Sequence, residues 1–260
     1  MRWPALATAA LVLAITAGIA TAIPASSCEM PLAGPLPAGL DGITTEGDVA
    51  LVDGTRGRFP GLRMRVPTGE EDGLATLLSP WAGVVPHLLK DAAKPDRWNR
   101  HAVSLTIGSG GDGKNLAMEL LKSGFAITWP AELPPNCRNL YLQAEEAARK
   151  TRQGIWKDQR LGLLDADKGA DVAVRAGEIA VMNGRINHVG QTRRATYLNF
   201  GARGTGASAE IGLGVWRDLE RQGWTRERFK GQVVRVRGVI SEARPARMLV
   251  LHASALEIVD

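Results

Sequence analysis

The sequence predicts a mixed α+β protein, mainly β, in two consecutive parts. Three observations predict it. Val49 and Leu51 alternate ahead of an Asp53-Gly54 turn, and Phe59, Leu62 and Met64 follow it, as suits two half-buried strands around a tight turn. A capped amphipathic helix runs from Asn136 to Gly154. From Gly177 onward the pattern changes to short strand candidates with one helical stretch among them. A length of 260 residues accommodates two small domains.

The first residues read as a targeting segment. Arg2 supplies a positive start, Ala5 to Ala22 is apolar and small, and Ala20-Thr21-Ala22 fits a signal-peptidase site. Residues 1–22 are therefore expected to be a signal peptide. The mature chain would be exported, periplasmic or secreted, with no stable transmembrane segment after cleavage. A retained N-terminal anchor is one alternative, and a lipid on Cys28, which follows Ala25-Ser26-Ser27, is another. Residues 23–40, rich in Pro, Ala and Gly, read as a tether. Cys28 and Cys137 are the two cysteines, and an oxidising compartment lets a disulfide between them persist.

Composition narrows the class. Hydrophobic residues at 45% and charged residues at 23% describe a globular chain. A net charge of +5 is compatible with a polyanionic partner, nucleic acid or an anionic surface, although many basic exported proteins bind neither. The four histidines are scattered, and no Ser/His/Asp triad, Gly-rich phosphate loop or zinc spacing is visible.

The elements follow in order. Residues 67–73 form an acidic loop, Leu74 to Leu78 a short helix, and Gly83 to Leu89 a strand with Pro86 at an edge. His101 to Ile107 alternates as a strand. Asn115 to Gly124 reads as a helix with Leu116, Leu120 and Leu121 on one face, followed by an extended Phe125-Ala126-Ile127. In the Asn136–Gly154 helix, Leu140, Ala144, Ala147 and Ala148 share a face, and Glu145/Arg149 and Glu146/Lys150 are favourable i,i+4 pairs. Residues 159–174 read as a linker. In 175–260 the strands are expected at Met182 to Val189, Thr196 to Phe200, Ala209 to Leu213, Val233 to Ile240 and Arg247 to Leu251, with a helix at Val215 to Gln222. Five strands with one helix after the third suggest a small OB-like β-barrel.

Several segments together resemble the staphylococcal-nuclease (thermonuclease) family over residues 41–158. Glu46-Gly47-Asp48 stands where the family has an acidic turn, and Arg58-Phe59-Pro60-Gly61-Leu62 where it has an arginine-led strand. Asp96-Arg97-Trp98-Asn99-Arg100 matches the segment carrying its second phosphate arginine. Ala144-Glu145-Glu146-Ala147-Ala148-Arg149 with Gly154-Ile155-Trp156 matches its closing signature. The resemblance implies a nuclease-like OB-fold barrel with helices and a calcium-dependent phosphodiesterase site. Arg58, Arg63 and Arg100 would face phosphate and Asp48 would bind metal. The second metal aspartate is replaced by Arg63, and the proposed base falls on Val66.

That replacement weighs against Ca2+. A guanidinium about 4 Å from a dication repels it by about 8 kcal/mol at an effective dielectric near 20. Glu70 or Glu71 would have to supply the missing carboxylate. Arg58, Arg100, Glu70 and Glu71 are thus the candidate catalytic residues, and no cofactor is expected unless the site is active with Ca2+. Three functions follow: nucleic-acid or other polyanion binding with weak or lost hydrolysis, an active exported nuclease using Asp48 with Glu70 or Glu71, and a periplasmic protein-interaction module. Arg63 paired with Asp48 would be the structural reading of the same residues. In the second part, Arg193, Arg194, Arg203, Arg235, Arg237, Arg244 and Arg247 could line a basic groove, and Tyr197 and Phe200 either stack on bases or fill the barrel.

Overall fold

A computed structural model describes residues 28, 30–90, 94–108, 113–158, 161–241 and 246–259. The expected signal peptide at 1–22 and the beginning of the tether lie outside the described residues, as does Arg244. Among the described residues no helix is long and apolar enough to cross a membrane.

The first module is built on a six-stranded sheet of β1 (Leu32–Pro35), β2 (Leu40–Ile43), β3 (Val49–Leu51), β4 (Arg56–Arg58), β6 (His87–Leu89) and β7 (Arg100–Ser104), in the order β1-β6-β7-β4-β3-β2. The β3–β4 turn is the expected Asp53-Gly54 turn, with Gly54 at φ 83. Pro60-Gly61 bends the chain out of that sheet. β5 (Leu62–Met64) therefore pairs antiparallel with β10 (Ala126–Thr128) instead. β8 (Thr106–Ile107) and β9 (Lys114–Asn115) form a short ribbon.

Three helices cover this framework: α1 (Glu71–Leu78), α2 (Leu116–Lys122) and α3 (Pro135–Lys150). Asn115 caps α2 by accepting from the Met118 N–H, and Leu116, Leu120 and Leu121 are buried, as their spacing predicts. The α3 cap differs from expectation. Pro134 occupies the N-cap with Pro135 behind it, and Asn136 already lies inside the helix. Proline suits the first turn because its missing N–H has no partner there anyway. Gly124 follows the end of α2, whereas α3 stops at Lys150, ahead of the expected stop at Gly154, and the two glycines pack together. A Cβ on Gly154 would meet the Gly124 carbonyl oxygen at 2.3 Å, and one on Gly124 would meet the Gln153 oxygen at 2.2 Å. Both have positive φ, so two chain reversals lie back to back.

Two segments read as connections are instead part of the sheets. Residues 32–40 were expected to be a tether, but β1 pairs with β6 and Leu40 is buried against Leu51. Its small and proline-rich composition hides a strand whose backbone does the pairing. The structure also joins Cys28 to Cys137, tying this segment to the first turn of α3. In the expected linker, β11 (Leu163–Asp165) runs parallel to the next strand, and α4 (Gly169–Ala173) buries Val172.

The second module is a ring. β12 (Ile179–Gln191), β13 (Ala195–Phe200), β14 (Ser208–Gly212), β16 (Arg247–Val250) and β15 (Val233–Ser241) pair in succession, and β15 closes back on β12. The β14–β16 pairing is parallel and the others are antiparallel. α5 (Leu213–Arg221) and α6 (Arg226–Phe229) lie between β14 and β15, and β17 (Leu256–Ile258) extends the edge at β15. Met182, Ile186, Leu198, Phe200, Ile211, Trp216, Phe229 and Val236 fill the ring.

The modules share a core. Ile127, Ala148, Ile155, Trp156 and Val181 form one buried cluster drawn from both. Beside it, Glu145 of α3 and Arg237 of β15 are both fully buried and ion-paired. Glu145 also accepts the Thr128 N–H at 2.7 Å and pairs with Arg149 at 3.1 Å, while Arg237 also meets Glu257. Arg235 reaches Glu257 at 3.3 Å and Glu146 at 3.5 Å. Burial, with the like charges of Arg235 and Arg237 and against the pull of Glu145, pushes the Arg149 guanidinium down to about 10. Arg235 and Arg237 share a strand face, as their spacing requires, but that face packs on α3. They line no basic groove.

Candidate functional site

The segments singled out by sequence converge on one cleft of about 280 Å3 in the first module. Glu46, Arg58, Arg63, Asp96, Trp98, Arg100 and Glu132 line it. The framework explains the convergence. β4 and β7 are parallel neighbours with Arg56 opposite Arg100, so the arginines near the ends of both strands meet at one end of the sheet. Asn99, at φ 60, turns the chain into β7, a left-handed position that asparagine tolerates. The bend at Pro60-Gly61 then carries Arg63 to the same cleft.

Every cation here has an internal carboxylate. Arg58 donates to Glu132 at 2.9 Å and lies 3.5 Å from Asp96. Arg63 pairs with Glu132 at 2.6 Å, and its guanidinium also lies 5.0 Å from the centre of the Trp129 ring. Arg100 donates twice to Asp96 Oδ2, at 2.8 and 3.0 Å, and once to Asp48 Oδ1 at 3.0 Å. Arg56 takes the other oxygen of Asp48. The pairing of Arg63 with Asp48 is thus overturned. Asp48 is claimed by Arg56 and Arg100, and Arg63 turns to Glu132.

The carboxylates are correspondingly acidic. Burial opposes ionisation of Glu132, but the Arg63 hydrogen bond and charge, the Gly61 N–H and Arg58 outweigh it and hold the carboxyl below the usual range. Burial likewise opposes ionisation of Asp96, and the Arg100 hydrogen bonds with the N–H groups of Arg100 and Trp98 outweigh it. Trp98 is 52% exposed at the rim, with the Arg97 and Arg100 guanidiniums 3.8 and 4.8 Å from its ring centre.

Calcium does not fit these residues. It takes six to eight oxygen ligands. Asp48, the carboxylate expected to hold it, has both oxygens occupied by the guanidiniums of Arg56 and Arg100. Glu70 and Glu71 do not help. Glu70 is paired with Lys157 at 2.6 Å, and Glu71 sits exposed in the first turn of α1, lining a different depression beside Leu40 and Ile43. Among the described residues no group of three or more His, Cys, Asp or Glu side chains could hold a metal ion. Arg65 also leaves the cleft, pairing with Glu178 of the second module.

Sequence reasoning missed Glu132 and gave Asp96 no role. The signal for Asp96 lay in view, because its carboxylate four residues before Arg100 caps the turn leading into β7. Glu132 follows Trp129-Pro130 with no local pattern, and only the fold brings it within reach of Arg58 and Arg63.

In the second module, Phe200 is core, 2% exposed, whereas Tyr197 lies on the outer face with the Arg247 guanidinium 5.5 Å from its ring centre. The alternation of β13 thus makes Phe200 part of the barrel core and leaves Tyr197 outside it.

No curated protein matches the chain. One matching solved structure, "OBody AM1L10 bound to hen egg-white lysozyme", is 16% identical over 36% of this chain and 91% of that chain, at a TM-score of 0.27. The family model described as staphylococcal nuclease homologue matches residues 84–158, a segment with Asp96, Trp98, Arg100, Glu132 and Glu145; Asp48, Arg58 and Arg63 precede it. The match thus lies within the mixed α+β first module, whose residues 84–158 are similar to staphylococcal nuclease.

Proposed function

We propose that this chain is an exported staphylococcal-nuclease-like protein that binds nucleic acid or another polyanion and has lost efficient phosphodiester hydrolysis. One observation carries the loss: Arg63, at the position of the family's second metal aspartate, is ion-paired with Glu132. A metal-assisted site needs hard oxygen donors and a free base for water. Here the candidate donor is bound by two arginines, and position 66 is valine. The net charge of +5 supports the polyanion reading. The closed ring with its helices between the third and fourth strands supports reading residues 175–260 as an OB-like barrel. The Cys28–Cys137 bridge supports an oxidising compartment. It also weighs against lipidation, because a thioether would need the same sulfur.

The test is a nuclease and binding assay of the mature protein on single-stranded and duplex DNA, with calcium and with chelator. The expected result is salt-sensitive binding without chelator-sensitive cleavage. Rapid cleavage abolished by chelator would overturn the reading. The internal pairing of the cleft arginines favours one other function, a protein-interaction module. Absence of both cleavage and binding at low salt would select it.

A further inference from the structure

We propose that the outer face of the second module is a binding groove for single-stranded nucleic acid, an assignment that rests on the polyanion reading above and moves its site away from the nuclease-like cleft. The distribution of charge points there first. Residues 175–260 carry fourteen Lys and Arg against eight Asp and Glu, whereas residues 1–174 carry eighteen against nineteen. The excess positive charge of the whole chain therefore resides in the second module. The cleft arginines each have a carboxylate, while among the described residues Arg193, Arg194 and Arg203 have no ion-pair partner.

The face is organised by strand register. His188, Asn199, Ser208 and Arg247 lie opposite one another across four consecutive strands, forming one polar row. The row is internally braced: the Ser208 hydroxyl donates to Asn199 Oδ1 at 2.8 Å, and Asn199 Nδ2 donates to the His188 carbonyl at 3.3 Å. In the next row Tyr197 stands opposite Gly190, which has no side chain to cover that flank of the ring. Arg247 supports the ring from the β16 side and is itself held by Glu210 at 3.3 Å.

Beside the polar row is a cleft of about 610 Å3, the right size for a nucleotide, lined by His188, Asn199, Ser208 and the loop from Gly201 to Gly206 with Arg203. Asn187 closes it by donating to the Gly201 carbonyl at 2.6 Å. Arg193 and Arg194, at the tip of the β12–β13 hairpin, lie roughly 15 Å farther along the strand. The groove thus offers unpaired cations for phosphates, amide and hydroxyl groups for base edges, and a ring for stacking. A single strand exposes base faces and edges together, and a duplex buries them, so the groove fits a single strand.

The test is fluorescence anisotropy with a labelled oligothymidylate at low salt, using full-length mature protein. Tyr197→Ala is expected to weaken binding at least about fivefold, as loss of one stacked base would, and Tyr197→Phe to restore it. Arg203→Ala is expected to weaken binding and reduce the slope of log affinity against log salt by about 0.7. The double variant Lys150→Ala/Arg152→Ala removes two exposed charges from the first module and is expected to bind like wild type. Binding that survives both Tyr197→Ala and Arg203→Ala overturns the groove and leaves the polyanion reading standing. So does equal loss in the Lys150/Arg152 variant, which means diffuse electrostatics. Phosphatidylglycerol vesicles binding in place of the oligonucleotide, with the same Tyr197 and Arg203 dependence, overturn the nucleic-acid assignment. No binding by wild type to either probe removes both readings.

Discussion

Replacing Glu145 by leucine removes the fully buried carboxylate among those that join the two modules. Glu145 and Arg237 are both fully buried, so the substitution leaves a buried guanidinium with Glu257 as its remaining ion-pair partner. Breaking a buried pair from one side costs about 3–5 kcal/mol. Glu145 also accepts the Thr128 N–H, and orphaning that donor costs about 1–3 kcal/mol more. The total, about 5 kcal/mol, is a large fraction of the stability of an ordinary domain. At this chain length it corresponds to a fall in Tm of about 10–20 °C. Arg237→Met is expected to cost less, about 3 kcal/mol, because Glu145 keeps Arg149 and the Thr128 N–H. The double variant is expected to recover at least about 2 kcal/mol of the summed single losses, since it leaves neither charge of the pair facing a missing partner. Urea denaturation followed by tryptophan fluorescence reads all three. A Glu145→Leu protein within about 1 kcal/mol of wild type would refute the reasoning, because the pair would then contribute nothing to joining the modules.

The remaining predictions concern the cleft and the bridge. Arg63→Asp is expected to create a calcium-dependent rise in Tm that wild type lacks, read by differential scanning fluorimetry, without restoring cleavage because position 66 is valine. Asp96 and Glu132 are held below their ordinary pKa values, so the stability they add is present above their unfolded values near 4 and is lost as pH falls through the lower folded values. Urea midpoints should therefore drop below about pH 4, and Glu132→Gln should flatten that acid limb while lowering stability at neutral pH. Substituting both cysteines by serine should cost about 2–5 kcal/mol, since the bridge closes a loop spanning a sequence separation of 109, and thiol alkylation of non-reduced wild type should find no free cysteine.

Much of the architecture was legible because it follows from local pattern. The Asp53-Gly54 turn rests on local turn chemistry, and the α2 face of Leu116, Leu120 and Leu121 and the five strands of the second module follow spacings of 3.6 and two residues that are written along the chain. The strand at Leu32–Pro35 was not legible, because proline and glycine mask a pairing made by backbone atoms. β11 was hidden for a similar reason, lying within a charged stretch whose one buried strand residue, Leu164, is too short a signal.

The site divides the same way. Arg58, Arg63 and Arg100 were visible as residues, and the fold brings them into one cleft. Their pairing was not visible, because it depends on Glu132, 69 positions beyond Arg63, and on the strand pairing that sets Arg56 beside Arg100. Glu145 shows the limit most clearly. Arg149, four residues on, is the helical ion-pair partner that the spacing predicts. Its buried partner, Arg237, comes from the other module. The sequence by itself determined which charges and which apolar faces this protein has, since these are properties of residue type and period. Only the tertiary structure decided which charges far apart in sequence meet, because Coulomb attraction in a buried site depends on distances of a few ångströms that, beyond one helical turn, no spacing along the chain encodes.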